Sequence, residues 1–183
     1  MTDDELYRQY LAGEKSAFDK LMLRYGDVLT LYLSAVLHDW HDAEDIMIEA
    51  FARIMVKRPA IRDGGFKAYL FKTGRNLAAR FASRRGRIQT FALEELEADV
   101  ASPERTEVQY LNEERKQALY RCLNRIAPAY REALWLVYME DLSYRQASEV
   151  LNVSEKKIDH LLQRGKQALR QELEKEGVTD AHE

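Results

Sequence analysis

Residue types that stabilise secreted, fibrous and membrane proteins are scarce in this chain of 183 residues. A single cysteine, Cys122, excludes an internal disulfide and a cysteine-rich zinc site, and it indicates a reducing compartment. Eight glycines and three prolines are too few for a collagen-like or low-complexity chain. The acidic N-terminus is unlike a signal peptide, and no apolar run approaches the roughly 18 residues needed to cross a bilayer. We therefore expect a cytoplasmic protein that is not inserted in a membrane.

The net charge of −3 conceals a strongly basic segment. Residues 66–87 carry seven basic and no acidic side chains, whereas residues 88–113 carry seven acidic side chains and one basic side chain. A local basic cluster in an acidic protein is typical of a site for a polyanion such as nucleic acid. A solvated helix face would explain the same charges, so both interpretations stay open on charge alone.

Apolar residues recur at helical spacing along nearly the whole chain, and no convincing period-two strand is present. Ser16 with Asp19 has the spacing of a capping box at the start of a long helix. The acidic stretch 89–107 contains a Ser-Pro pair, which favours an extended break between two helical units. The predicted fold class is therefore all-α, with two small helical domains over residues 1–88 and 108–183 joined by this acidic linker.

The sequence from Ser143 onwards predicts a helix-turn-helix. Ser143 with Gln146 is a second capping box, for a helix that runs to about Leu151. Asn152 tolerates the left-handed conformation of a tight turn, and Ser154 can cap the helix that follows. In a DNA-binding protein the second helix would lie in the major groove. An ordinary antiparallel helical hairpin would explain the same caps.

Taken in order, these segments resemble the group IV, or extracytoplasmic-function, sigma factors of bacterial RNA polymerase. Residues 13–25 are similar to the opening helix of region 2, and residues 42–51 to its polymerase-binding segment. Residues 68–78 are similar to the −10 recognition region. Residues 126–144 are similar to the first part of region 4, and residues 154–164 to its recognition helix.

The resemblance implies a protein that binds core polymerase, places it on a promoter and helps to open the duplex without forming a covalent bond itself. Its expected partners are promoter DNA, an anti-sigma factor and core RNA polymerase, through the β′ clamp and the β flap. No cofactor or metal is expected. The acidic linker would correspond to the family's connector, which occupies a basic channel meant for RNA, although a disordered spacer explains its composition as well.

Three sets of residues carry the expected contacts. The −10 element needs cations for phosphates, together with an amide and a ring to hold an extruded base, and this set is Lys67, Tyr69, Lys72, Arg75, Asn76, Arg80, Arg84, Arg85 and Arg87. The −35 element needs groups that read base edges or bind backbone, and this set is Arg145, Ser154, Lys156, Lys157, Asp159, His160, Gln163 and Arg164. The polymerase-binding set is Asp42, Glu44, Asp45, Met47 and Glu49.

A stand-alone helix-turn-helix repressor or activator is the alternative function, with the N-terminal unit serving dimerisation or effector binding. The basic segment argues against this alternative, because a repressor needs no second, strand-separating site. A nucleic-acid-processing enzyme would need a catalytic cluster that the sequence lacks. Residues 38–41 contain two histidines near carboxylates, but a short interhelical turn explains them better than a metal site.

Overall fold

The computed structural model describes residues 1–85 and 107–178. Its helices are α1 (Asp3–Leu11), α2 (Lys15–Leu37), α3 (Trp40–Lys57), α4 (Phe66–Arg84), α5 (Glu107–Arg125), α6 (Pro128–Leu134), α7 (Tyr144–Leu151) and α8 (Glu155–Lys175). No strand occurs in these two ranges, and the all-α prediction is confirmed. No helix within them is long and apolar enough to cross a membrane. Arg87 and all of the predicted linker 89–107 except Glu107 lie outside the described residues.

Polar side chains set where the helices begin. The Ser143 hydroxyl accepts a hydrogen bond from the Gln146 N–H at 3.1 Å, and the Gln146 side chain accepts one from the Ser143 N–H at 3.0 Å, which confirms the predicted capping box. At α2 the predicted box of Ser16 and Asp19 is wrong. Glu14 is the cap there, because its longer side chain reaches both the N–H and the hydroxyl of Ser16, at 3.3 Å and 2.7 Å.

We expect Ser143→Ala to lower the free energy of unfolding by about 1 kcal/mol, because alanine loses the hydroxyl that accepts the Gln146 N–H and keeps only the backbone N–H of the capping box. Urea unfolding followed by circular dichroism measures the change. Ser83→Ala, an exposed position in the last turn of α4, is the control and should not lower stability. Equal stability of Ser143→Ala and the unmodified protein would contradict the assignment of this cap.

Helices α1 to α4 form an N-terminal bundle around an aromatic core. Phe18, Phe51 and Phe66 are almost completely buried. The rings of Phe18 and Phe51 meet edge to face with centroids 5.8 Å apart. Helices α2 and α4 approach closely, because a Cβ added at Gly74 would lie only 3.2 Å from the Leu29 side chain. The basic segment is therefore carried on a helix whose inner face is fixed by packing.

Helices α5 to α8 form a C-terminal bundle with an irregular centre. Helix α6 continues directly into a π-helical turn, Trp135–Met139, which the regular helical spacing of the sequence did not predict. Asn152 ends α7 with φ of 54°, and this confirms the predicted left-handed turn. Helix α8 packs closely on α6, since a Cβ at Gly165 would lie 3.2 Å from the Leu134 side chain.

The two bundles are in contact and share one hydrophobic core. Helix α4 packs against α7. On the neighbouring surface the ring of Tyr32 meets the indole of Trp135 with centroids 6.3 Å apart, and both side chains are buried. The division of the chain at residues 88 and 108 stays a prediction.

Candidate nucleic-acid interface

The second helix of the helix-turn-helix presents a polar outer face. Ser154 caps α8 by accepting a hydrogen bond from the Lys157 N–H at 3.1 Å. One side of α8 is buried through Ile158, Leu161 and Leu162, so the opposite side of the helix faces solvent. The exposed set contains every predicted −35 residue of this helix: Lys156, Lys157, Asp159, His160, Gln163 and Arg164. The structure thus brings these residues together on one surface.

Three of the predicted −35 residues have polar neighbours on their own helix. Asp159 accepts a hydrogen bond from the Gln163 amide at 3.1 Å, and the contact of both residues with the −35 element stays a prediction. Arg145 of α7 is exposed and lies 3.5 Å from Glu149. Both interactions join exposed groups, and such pairs contribute little to stability, so DNA can replace them.

Sequence reasoning missed one basic contact beside this face. The Lys166 ammonium of α8 lies 4.7 Å from the centre of the half-exposed Tyr138 ring, and the hydrogen bond to Tyr138 raises the pKa of Lys166. The signal in the sequence was a tyrosine in the apolar pattern that precedes the helix-turn-helix. This cation extends the positive surface of α8 toward the turn after α6 that contains Tyr138.

The basic helix α4 has two different faces, and the structure does not bring the predicted −10 set together on one of them. Lys67 and Arg75 point toward the C-terminal bundle and pair there with buried carboxylates, at 3.0 Å and 2.8 Å. Lys72, Asn76 and Arg80 follow each other at four-residue spacing on the other face and are exposed. Only this second face is open to DNA in the described arrangement.

A pocket of about 150 Å³ lies where this open face meets α3. Tyr69, Asn76 and Arg80 of the predicted −10 set line it, together with side chains that the sequence reasoning missed: Arg53, Ile54, Lys57, Thr73 and Leu77. Glu49 orients Arg53 by accepting two hydrogen bonds, at 3.0 Å from Nε and 2.7 Å from Nη2. The pocket therefore combines an aromatic ring and an amide with three cations.

The end of α4 carries the remaining basic side chains. Arg84 is exposed, whereas Arg85 pairs with Asp42 at 2.9 Å and lies 4.4 Å from the centre of the Phe81 ring. Asp42 is itself buried, in the first turn of α3. The pair thus fixes the end of the basic helix to the predicted polymerase-binding segment, and Arg85 serves packing as well as charge.

Comparison with known proteins assigns these two bundles. A family model for Sigma-70 region 2 matches residues 21–88, and one for Sigma-70 region 4 matches residues 116–169. The extracytoplasmic-function RNA polymerase sigma factor SigM of Bacillus subtilis is 27% identical over 180 residues, which cover 98% of this chain and 99% of SigM. The chain is an extracytoplasmic-function sigma factor of the sigma-70 family.

Further relatives agree with this sigma factor in sequence and in fold. SigE of Mycolicibacterium smegmatis is 29% identical over 167 residues, which cover 89% of this chain and 65% of SigE. The structure of CnrH in complex with the cytosolic domain of CnrY superposes with a TM-score of 0.66, at 22% identity over 94% of this chain and 97% of that chain. The structure of the sigma factor RpoE from Bartonella quintana in complex with the anti-sigma factor NepR superposes with a TM-score of 0.64, at 20% identity. The match covers 86% of this chain and 96% of that chain. The predicted family is confirmed, and a stand-alone repressor or activator is not favoured.

The predicted polymerase-binding residues of the sigma factor do not form one surface. Asp45 and Glu49 are exposed on α3, and Glu44 is partly exposed. Asp42 is buried and paired, as described above. Met47 is partly buried and packs against the core near Gly26, so it supports the bundle.

An apolar stripe on the same helix was missed. Trp40, Ile48 and Met55 are 45%, 54% and 40% exposed. At 3.6 residues per turn they fall within a sector of about 80° on the outer side of α3. The sequence signal was Ile48, an apolar residue directly beside the acidic side chain of Glu49. Exposed apolar residues rimmed by the acidic side chains of Asp45 and Glu49 are typical of a protein-binding surface.

Of the two histidines near carboxylates, His38 lies between α2 and α3, and His41 lies in the first turn of α3. His38 ends α2 with φ of 57°, and Asp39 caps α3 by accepting a hydrogen bond from the Asp42 N–H at 2.9 Å. The predicted interhelical turn is present but shorter than predicted, because it contains only His38 and Asp39 and α3 begins at Trp40. Within residues 1–85 and 107–178 no group of three or more histidine, cysteine, aspartate or glutamate side chains is arranged to hold a metal ion. Burial raises the pKa of the lone Cys122 thiol.

Proposed function

We propose that this sigma factor directs core RNA polymerase to specific promoters, reads the −35 element with α8 and holds an extruded −10 base at the pocket between α3 and α4. The pocket is the observation that carries the proposal. Unstacking a base costs a few kcal/mol, and stacking on an aromatic ring recovers about 1–3 kcal/mol per base. Tyr69 supplies such a ring, and Asn76 supplies an amide for the base edge.

The cations around the pocket would hold the backbone of the extruded strand. Arg53, Lys57 and Arg80 surround the pocket, and Lys72 lies on the same open face of α4. Such contacts position a strand without reading its sequence. Lys67 and Arg75 would join them only after leaving their carboxylate partners. Arg84, Arg85 and Arg87 stay candidates for the −10 contact, because they come directly after the residues of the open face in the sequence.

Several partners belong to the same proposal. The outer stripe of α3, with Asp45 and Glu49, would bind the β′ clamp of core polymerase, and the C-terminal bundle would meet the β flap. The solved structures of CnrH and RpoE name CnrY and NepR as their partners, which supports an anti-sigma factor for this chain as well. We propose that the protein acts where RNA polymerase is, in the cytoplasm, and that it forms no covalent bond itself.

Reconstitution with core polymerase tests this function. We expect permanganate to detect unpaired thymines near −10 only when sigma factor, core polymerase and a cognate promoter are combined. A promoter library transcribed by the complex identifies that promoter. Tight, core-independent binding of duplex operator DNA, with no strand opening in the presence of core polymerase, would reject the proposal in favour of a stand-alone regulator.

Replacing Lys157 and Gln163 together by alanine should relax the −35 preference about 10-fold, because a good base-edge contact contributes about 1–3 kcal/mol of discrimination. Transcription from a library randomised at −35 measures the preference. Lys175→Ala, at the far end of α8, is the matched control and should keep the selectivity. Unchanged selectivity of the double variant would remove both residues from the reading face.

A further inference from the structure

Three carboxylates of the C-terminal bundle bind three cations of the N-terminal bundle. All three pairs cross the contact between the bundles, and we call this set the latch. Its members are Glu132 with Arg75 at 2.8 Å, Glu140 with Lys67 at 3.0 Å, and Glu149 with Arg62 at 2.5 Å. Lys67 and Arg75 belong to α4 and Arg62 to the loop before it, so the latch engages the side of the basic helix that faces the C-terminal bundle.

The inner part of the latch is buried and shared between several donors. Glu132 accepts hydrogen bonds from the Tyr32 hydroxyl at 2.9 Å and from Arg75 Nε at 2.8 Å, and a second bond from Arg75 Nη2 at 3.1 Å. Burial raises the pKa of Tyr32 well above its usual range, so its hydroxyl keeps the proton that it donates. Residues from α2, α4 and α6 thus meet at one carboxylate.

The second buried carboxylate is bound in a similar way. Glu140 lies directly after the π-helical turn, and its side chain is only 6% exposed. It accepts a hydrogen bond from the Trp135 indole at 3.3 Å, and the Lys67 ammonium lies 3.0 Å from its carboxylate and 2.6 Å from its main-chain oxygen. The π-helical turn therefore places both the indole and the carboxylate at the interface.

Such a latch fixes an arrangement without making it permanent. A buried ion pair gains little net stability, because desolvation offsets much of its attraction. When the bundles separate, every charge of the latch regains water. Removing one partner alone is costly, because the other charge then stays buried and unpaired. The latch is therefore selective for the closed arrangement and reversible.

The closed arrangement does not match the geometry of a promoter. The −10 and −35 elements are about 25 base pairs apart, which is about 85 Å along a straight duplex. In the structure α4 touches α7, and α8 begins four residues after α7 and is about 32 Å long. One closed molecule cannot place α4 and α8 on both elements. The chain between residues 85 and 107 could span at most about 75 Å, so separated bundles could reach.

We propose that the latch holds the free sigma factor in a closed state that engages at most one promoter element, and that Glu132 and Glu140 set its opening equilibrium. Opening would release Lys67 and Arg75, whose carboxylate partners occupy the positions that phosphates could take. The consequence for promoters rests on the proposed function, whereas closure itself is a property of the free protein. Core polymerase and promoter together would supply the binding energy that opens the latch.

The free, full-length protein tests closure directly. We expect Glu132→Gln/Glu140→Gln to increase the open population about 10-fold, seen as a larger radius of gyration in small-angle X-ray scattering with unchanged helical circular dichroism. Glu172→Gln/Glu174→Gln removes the same charge from α8, away from the latch, and should stay closed. If the latch variant is helical and as compact as this control, the proposal is overturned.

A reversible cross-link tests the consequence. Arg62→Cys and Glu149→Cys place two exposed thiols across the latch, where a bismaleimide containing a disulfide can join them. Cys122 is buried, and its raised pKa keeps it unreactive in the folded protein. We expect the joined protein to lose promoter opening at least about 10-fold with core polymerase, and reductant to restore it.

The outcomes of the cross-link separate the two proposals. Full promoter opening by the joined protein would overturn the latch. Absence of opening before and after reduction, in a protein whose scattering still responds to Glu132→Gln/Glu140→Gln, would reject the proposed function and leave closure intact. The cross-link therefore complements scattering, which reports on closure even without polymerase.

Discussion

Charge reversal at Lys72 and Arg80 is expected to reduce promoter opening at least about 100-fold, because two phosphate contacts become two repulsions. Both side chains are exposed on the open face of α4, and Arg80 lines the pocket. The variant Lys72→Glu/Arg80→Glu should nevertheless fold, since neither residue belongs to the core. It should also bind core polymerase normally, because the polymerase-binding stripe lies on the outer side of α3.

Permanganate reactivity of the −10 thymines measures opening, and fluorescence anisotropy of the labelled sigma factor measures binding to core polymerase. Lys15→Glu/Lys20→Glu is the matched control, since it reverses two exposed lysines of α2. Opening by the variant at the rate of this control would show that DNA does not follow the open face. In that case Arg84 and Arg85 at the end of α4 become the first candidates for the strand contact.

The salt dependence separates this effect from a folding defect. Each phosphate contact to a single strand contributes about −0.7 to the slope of log affinity against log salt. Alanine at both Lys72 and Arg80 should therefore reduce the salt slope of the affinity for DNA by about 1.4. The preferred −10 sequence should stay the same, because phosphate contacts carry no base information. A change of sequence preference would instead assign these side chains to base edges.

Local interactions account for what the sequence predicted of the second bundle. A capping box joins residues three apart, and the left-handed turn at Asn152 depends on that one residue, so both were visible without tertiary information. The same reasoning was wrong at α2. Glu14 is not a favoured cap residue, yet its side chain accepts the Ser16 N–H, so the helix begins at Lys15 and Ser16 lies inside it. Local patterns thus predicted that a helix is present more reliably than they predicted the residue at which it begins.

Long-range contacts explain what the sequence did not predict. Tyr32 and Glu132 are 100 residues apart in the chain and meet in a hydrogen bond. Helical spacing separates Lys67 and Arg75 from Lys72 and Asn76, but it cannot tell which of the two faces a neighbouring bundle covers. A count of basic residues therefore overestimated the surface that is open to DNA in the described arrangement.

Glutamate at Ile48 and Met55 is expected to weaken binding to core polymerase at least about 100-fold, because charge in the apolar centre of an interface stays unpaired. The free sigma factor should keep its stability, since 54% of Ile48 and 40% of Met55 are already exposed to water. Anisotropy titration with core polymerase measures the loss. Leu11→Glu/Val178→Glu, which changes two exposed apolar residues outside α3, should bind as the unmodified protein does.

The kinetics of this variant identify which part of α3 binds. Rim charges such as Asp45 and Glu49 act mainly on the association rate and lose their effect as salt is raised. An apolar contact acts on the dissociation rate and is insensitive to salt. We therefore expect Ile48→Glu/Met55→Glu to dissociate faster at every salt concentration. A loss confined to low salt would make the stripe a bystander and leave the acidic residues as the contact with the clamp.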